Sequence, residues 1–369
     1  MHTATVNLLY KSAPSVPPLP ERVYERTYIV ADDLTGACDS AAAFLCAGCA
    51  VRVWLGDKAL FPASEPVQAF NTDSRALSPA KAARIVKRAA ARLSSASNVL
   101  FFKKIDSAAR GPFAAEILAA HSGFGSRAVL LAPAFPAMGR TVRNGILQIR
   151  DAAGQRTQIN LVSLFPPRAR GLIHLVSRPE EVVASLDTGK PLLLCDSSTQ
   201  SDLQSLVRNA ENLPGLLFAG SAGLAQAIAC RSARRKRRVA PPSAACTLIV
   251  SGSEHPLTKL QLKNLACRSS RAVKVLRLDL SLRDGTRILS AFNKFSPQAL
   301  ILTGGDTAQL TASTLGAHSF ILQGECAPGI PWGTVQGGIA EGCIVITKSG
   351  GFGTPTTLKE ILTVLRGQA

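Results

Sequence analysis

The stretch that decides the fold is Tyr28-Ile-Val-Ala-Asp-Asp-Leu-Thr-Gly-Ala-Cys-Asp39, an apolar run that ends in two adjacent carboxylates, a Thr-Gly pair and a small-residue helix. It reads as a buried strand that delivers acid at its C-terminal end. In open α/β sheets ligands collect at those ends, where loops converge and helix N-termini point their donors. An Asp at the helix N-cap accounts for one carboxylate. It does not account for two.

Working outward, apolar segments at 28–30, 51–55, 67–70, 99–102, 128–131, 192–194 and 216–218 alternate with helical patterns, which predicts a mostly parallel sheet. A basic, Pro-containing stretch at 231–245 interrupts the pattern. Alternation resumes at 247–250, 273–276, 299–302 and 344–347. The fold class expected is therefore α/β, in two domains, each with a mostly parallel sheet flanked by helices. The active site is expected in the interdomain cleft. The boundaries expected are a disordered Ser/Pro-rich leader at 1–27, a first domain at 28–230, a basic linker at 231–245 and a second domain at 246–369. A chain of 369 residues exceeds the size at which one core usually stops growing.

Composition narrows the class. No apolar stretch approaches the roughly 20 residues that cross a bilayer, and the first 26 residues hold no apolar segment of signal-peptide type, so no membrane association is expected. Nine cysteines at irregular spacing suit a reducing cytoplasm rather than a disulfide framework. The one CxxC, Cys46 and Cys49, lies in an Ala-rich helix with no second pair at zinc-site spacing and reads as packing. Net charge is +18, much of it in Arg231, Arg234, Arg235, Lys236, Arg237 and Arg238. That run lacks the interleaved aromatics of an RNA reader, so it reads as a solvated linker, with no nucleic-acid partner expected. The remaining positive excess suits small anionic ligands, whose arrival it would steer.

Three strand ends in the first half carry chemistry. Lys104-Ile-Asp-Ser-Ala-Ala-Arg-Gly111 gathers cations, a carboxylate and a hydroxyl in one turn. Asn71-Thr-Asp-Ser-Arg75 adds Ser74 and Arg75. Arginine offers a bidentate fork to a carboxylate and aspartate accepts a hydroxyl proton, so an anionic substrate with a reactive hydroxyl is expected here. Pro133 to Gly145, with two prolines, two glycines and two arginines, reads as a rigid loop beside the site. The second half differs: Ser251-Gly-Ser253, Thr303-Gly-Gly-Asp-Thr307 and Lys348-Ser-Gly-Gly-Phe-Gly353 each follow an apolar strand. Glycines let backbone amides approach phosphates, so the three loops together predict a nucleotide face. No Walker A motif and no well-placed GxGxxG is present.

Together these motifs, with Pro328-Gly-Ile-Pro331, resemble the four-carbon acid sugar kinase family, whose members include D-threonate, D-erythronate and 3-oxo-tetronate kinases. The resemblance runs from residue 28 to about 360. Where that family commonly has K-x-D-S-T-L-R-G, this chain has Ala108-Ala109 in place of Thr-Leu, and it is shortened after Asn144-Gly145. The resemblance implies a sugar-acid-binding domain at 28–230, a nucleotide-binding domain at 246–369 and ATP-dependent phosphorylation of a terminal hydroxyl. It implies ATP at Ser251 or Ser253, at Gly304, Gly305, Asp306 and Thr307, and at Gly350, Gly351 and Gly353, and the sugar acid at Asp33, Arg75, Lys104, Asp106 and Arg110; the strand ends themselves add Asp32 and Ser74 to the expected substrate residues. Mg2+ is expected at Asp306 and Asp32, and the hydroxyl proton at Asp33 or Asp106. The only partner expected is the small sugar acid, with homo-oligomerisation left open. A non-catalytic two-domain ligand-binding or regulatory protein is the alternative reading, and an RNA-binding protein acting through the basic run is the less favoured one.

Overall fold

A computed structural model describes residues 24–45, 48–56, 63–94, 98–150, 154–231, 239–266, 272–282 and 285–367. Residues 1–23, Cys46 and 232–238 of the basic run lie outside them, so most of the leader, one cysteine of the CxxC and about half of the linker have no structural account; the expected leader ends early, because Arg26 and Thr27 already belong to the first strand, and Cys49 is buried beyond the end of helix Leu34–Leu45 rather than in it. In the first half the strands are β1 (Arg26–Ala31), β2 (Val51–Leu55), β3 (Val67–Asn71), β4 (Val99–Lys104) and β5 (Ala128–Ala132). They are followed by β6 (Arg140–Arg143), β7 (Ile146–Arg150), β8 (Arg156–Asn160), β9 (Ile173–Val176), β10 (Leu192–Cys195) and β11 (Leu216–Gly220). The second half contributes β12 (Thr247–Ser251), β13 (Val273–Arg277), β14 (Ala299–Thr303), β15 (Ser319–Ala327), β16 (Ile330–Gln336) and β17 (Ile344–Lys348).

Every apolar segment picked from the sequence is a strand, and most neighbours pair in parallel as the alternation demands. The two sheets are not separate, however. They join edge to edge into one 14-stranded sheet in the order β13-β12-β14-β17-β16-β15-β2-β3-β1-β4-β11-β5-β10-β9. The seam is β15 against β2, antiparallel, with Phe320 opposite Val53 and Leu322 opposite Val51. Side chains fasten it. Arg52 Nη1 donates to Ser319 Oγ at 2.9 Å, while its Nε and Nη2 fork onto Glu65 at 3.0 and 2.7 Å and its guanidinium lies 5.1 Å from the Trp54 ring centroid. A separate three-stranded antiparallel sheet, β6-β7-β8, grows from the Pro133 loop.

The β15–β16 hairpin reverses chain direction, so the parallel strands of the second half run opposite to those of the first. Sheets twist by about 20–25° per neighbour, which over the five steps from β1 to β17 accumulates to roughly 100–125°. That rotation turns the two sets of strand C-termini toward one another. Between them lies helix Leu34–Leu45, almost wholly buried, whose Gly36, Ala37, Ser40, Ala41 and Ala42 let β2, β3, β15 and helix Gly305–Thr314 pack closely on it. Helices Pro79–Leu93 and Phe113–Phe124 cover the first half's other face, with Val86, Ala90, Ile117 and Ala120 in its core. No helix among the described residues is long and apolar enough to cross a membrane.

Candidate active site

Asp33 both caps a helix and enters an ionic cluster. Its Oδ1 accepts the Gly36 amide at 3.0 Å, the N-cap geometry of helix Leu34–Leu45, and its Oδ2 accepts the Thr35 hydroxyl at 2.7 Å. Arg75, delivered by the turn after β3, reaches the same Oδ1 through Nη2 at 2.6 Å and Asp32 Oδ2 through Nε at 2.6 Å. Its Nη1 stands 3.7 Å from Asp106 Oδ1. One guanidinium therefore ties together three buried carboxylates from two strand ends. Burial opposes ionisation of Arg75, but Asp33, Asp32 and Asp106 outweigh it and hold the arginine charged well above its ordinary value.

Asp106 folds its own turn. Its Oδ2 accepts the amides of Ala108 at 3.0 Å and Arg110 at 3.2 Å, and Arg110 closes a fork on the carboxylate at 2.8 and 2.7 Å. Burial alone would raise its pKa. The hydrogen bonds from Arg110, with the charges of Arg75, Arg110 and Lys104, reverse that and push it well below the carboxylate range. Asp32 behaves similarly, burial being overcome by Arg75, Lys103 and Lys104. Beneath the cluster, buried Lys103 pairs with Glu116 Oε2 at 2.8 Å, and Ser74 Oγ donates to Glu116 Oε1 at 2.6 Å.

A cleft of about 640 Å3, within the about 300–1,000 Å3 span of small-molecule sites, opens between this cluster and the strand ends of the second half. Asp33, Arg75, Lys104, Asp106 and Arg110 line one side. Ser253, Gly304, Gly305, Asp306, Thr307, Gly350 and Gly351 line the other. Gly304 sits at φ 98°, opening the turn into helix Gly305–Thr314, whose first residue lies so near Asp33 that a Cβ there would strike Asp33 Oδ2. Loop 348–353 is held from within. Lys348 Nζ donates to the carbonyls of Ser349, Gly350 and Phe352 at 3.0 to 3.3 Å, and burial lowers its pKa to about 8. Across the cleft the Phe135 and Phe352 rings meet at 6.2 Å.

Four residues expected at the site do not line the cleft. Asp32 turns toward Arg75, Ser74 is wholly buried on Glu116, Ser251 ends β12 in the sheet, and Gly353 lies at the loop's far end against Thr357. Conversely, the cleft includes Asp39 and His255, which sequence reasoning left out, and Ser107 and Arg140, whose segments it placed at and beside the site without naming them as site residues. Arg140 Nη1 donates to Ser107 Oγ at 2.8 Å, while its buried Nε has no partner among the described residues. Asp39 stands one helical turn after Gly36, so the i, i+3 spacing inside the opening motif was the signal for it.

A phosphoryl donor fits the second side, where amides at a helix N-terminus and glycine-rich loops converge. Mg2+ takes one or two carboxylates and fills its shell with water and phosphate oxygens. Exposed Asp306, in the first turn of helix Gly305–Thr314 and facing the cleft, suits that demand, whereas Asp32 faces away. Among the described residues no three His, Cys, Asp or Glu side chains gather as a metal cage.

Known proteins resemble the chain over nearly its whole length. A family model described as a sugar-binding N-terminal domain matches residues 27–228, and one described as a nucleotide-binding C-terminal domain matches residues 285–358. A D-threonate kinase of Bordetella bronchiseptica is 30% identical over 384 residues, covering 89% of this chain and 95% of the relative. A D-threonate kinase of Salmonella typhimurium is 26% identical, covering 90% and 97%. The crystal structure of a Haemophilus influenzae protein shares the fold with a TM-score of 0.68 at 19% identity, covering 92% of this chain and all of that one.

Proposed function

The chain belongs to the four-carbon acid sugar kinase family, and from that premise we propose that it transfers the γ-phosphoryl group of ATP to the terminal hydroxyl of a four-carbon acid of the D-threonate, D-erythronate or 3-oxo-tetronate type. The observation that carries this reading is the shared cleft, in which a side-chain ion cluster faces a backbone phosphate cradle with Gly305 directly against Asp33. Phosphoryl transfer asks little covalent chemistry of a protein. It asks for neutralised phosphates, a positioned hydroxyl and excluded water.

Residues 28–230 bind the acid and residues 246–369 the nucleotide. The amides of Gly305 to Thr307 and the Ser349 to Gly351 loop receive the phosphates, the Gly304 amide being engaged by the Lys348 carbonyl at 2.8 Å, and Asp306 would hold Mg2+, which when bound offsets phosphate charge. Arg75 and Arg110 spend their forks on Asp32, Asp33 and Asp106 and so set the floor of the site. Lys104, whose ammonium donates to the Ile105 carbonyl at 2.9 Å, and Arg140, with its unpartnered Nε, are the cations left to receive the acid's carboxylate.

The test is a coupled ADP-release assay comparing four-carbon aldonates with the matching uncharged alcohols. A charge-assisted hydrogen bond is worth about 1.5–3 kcal/mol, so the alcohol is expected to lose roughly ten- to a hundredfold in kcat/KM. Equal efficiency on the two would refute the acid-sugar assignment.

A further inference from the structure

Of the carboxylates that line the cleft, Asp33 and Asp106 have both oxygens engaged, and Asp106 is held far below neutrality. A group so stabilised as an anion is a weak proton acceptor. Asp306 and Glu254 stand on the nucleotide side, exposed. The remaining carboxylate is Asp39. It is 7% exposed, projects from the second turn of the central helix into the cleft, and its Oδ1 has no hydrogen-bond partner among the described residues. That oxygen is itself enclosed, so the side chain meets the cleft through the rest of its carboxylate. Gly329, at φ 71° in the β15–β16 turn, lies so close that a Cβ there would stand 3.2 Å from Oδ1 and inside the Phe352 ring.

We propose that Asp39 is the general base of the transfer, accepting on its cleft-facing carboxylate the proton of the attacking hydroxyl. The hydroxyl oxygen forms the new bond to the γ-phosphorus, the bond from that phosphorus to the β,γ-bridging oxygen breaks, and its electron pair leaves with ADP. The proton stays on Asp39 until the product departs. The inference rests on the kinase reading above and names a residue of the same site.

The groups facing Asp39 tune it for this task. Burial in the central helix raises its pKa first, and Glu325 of β15 and Asp33 raise it further, against Lys104 of β4 and Arg140 of β6. The balance is about 7, near the pH at which a base combines availability with driving force. A base must be deprotonated to act, so kcat is expected to rise with pH through about 7 and then level off.

The experiment measures kcat and KM against pH for the wild type, Asp39→Asn, Asp39→Glu and Asp106→Asn, with the acid's affinity for each variant read by calorimetry. Asp39→Asn is expected to lower kcat about 100- to 10,000-fold, bind the acid nearly as well, and lose the acidic limb. Asp39→Glu should restore part of the rate with the limb displaced. A full limb retained in Asp39→Asn, or one abolished by Asp106→Asn instead, would overturn the assignment. An acceptor outside the four-carbon acids would sink the substrate reading, and the same limb comparison on that acceptor still decides Asp39.

Discussion

The two walls of the cleft are built on different principles. The first-half wall is made of side-chain charge: Asp32, Asp33, Asp106, Arg75, Arg110, Lys103 and Glu116 neutralise one another within hydrogen-bonding distance, with Lys104 beside them on the Ile105 carbonyl. Its partner is made of backbone, with glycines at Gly304, Gly305, Gly350 and Gly351 and a buried lysine holding carbonyls. Charge placed by side chains can discriminate the ends of a small acid. Backbone amides recognise phosphate whatever it is attached to. The first wall should therefore be broken by isosteric changes that only remove charge, the second by changes that only add volume.

The largest effect expected is on stability. Glu116→Gln leaves Lys103 buried without its counterion, and breaking a buried pair from one side costs about 3–5 kcal/mol. Urea unfolding checks this, and an unshifted midpoint would show that the charged wall is not self-supporting. Next comes Gly305→Val, which adds no charge yet drives a side chain into Asp33. A misplacement of about 1 Å can cost a hundredfold, and turnover is expected to fall at least that far while the melting temperature changes little. ATP affinity measured separately by calorimetry should fall with it; unchanged affinity and turnover would mean the backbone wall is not where phosphate binds.

Arg75→Lys sharpens the contrast, since it keeps the charge and loses the fork across three carboxylates. Kinetics should show kcat/KM down roughly ten- to a hundredfold. A lysine variant as active as the parent would reduce the cluster to a simple charge count. The smallest effect is expected from Ser74→Ala, which removes one donor to Glu116 at a cost of about 0.5–1.5 kcal/mol in stability, with KM for the acid unchanged because Ser74 does not reach the cleft. A raised KM would return Ser74 to the substrate.

Most of this contrast was legible before any coordinates. Strand-end acid at Asp32-Asp33 and the Lys104 to Gly111 turn announced one wall, and three glycine loops after apolar strands announced the other. Which carboxylate oxygens remain free was not legible, because that depends on Arg75 and Arg110 choosing partners across strands. Asp39 was hidden by its company: a polar residue among Ala37, Cys38, Ser40 and Ala41 reads as helix packing until the cleft around it is known. The β15–β16 hairpin was hidden too, since Gly324, Pro331 and Gly333 interrupt the apolar runs that mark strands. Gly333 is needed there because a Cβ would collide with the Ile321 carbonyl of the opposing strand.

The β2–β15 seam also sets the order in which the protein can be made. While the ribosome is still emitting the second half, β2 is a bare strand edge carrying Val51, Val53 and Leu55, and its pairing partners at 319–322 lie more than 260 residues downstream. Edges of that kind template wrong pairings between chains. A fragment ending near residue 230 would carry this edge permanently, and it should associate or precipitate where the full chain does not. The same closure demands contacts between distant parts of the sequence, so the final step of folding is expected to be slow, and to be the step most exposed to a truncated or stalled chain.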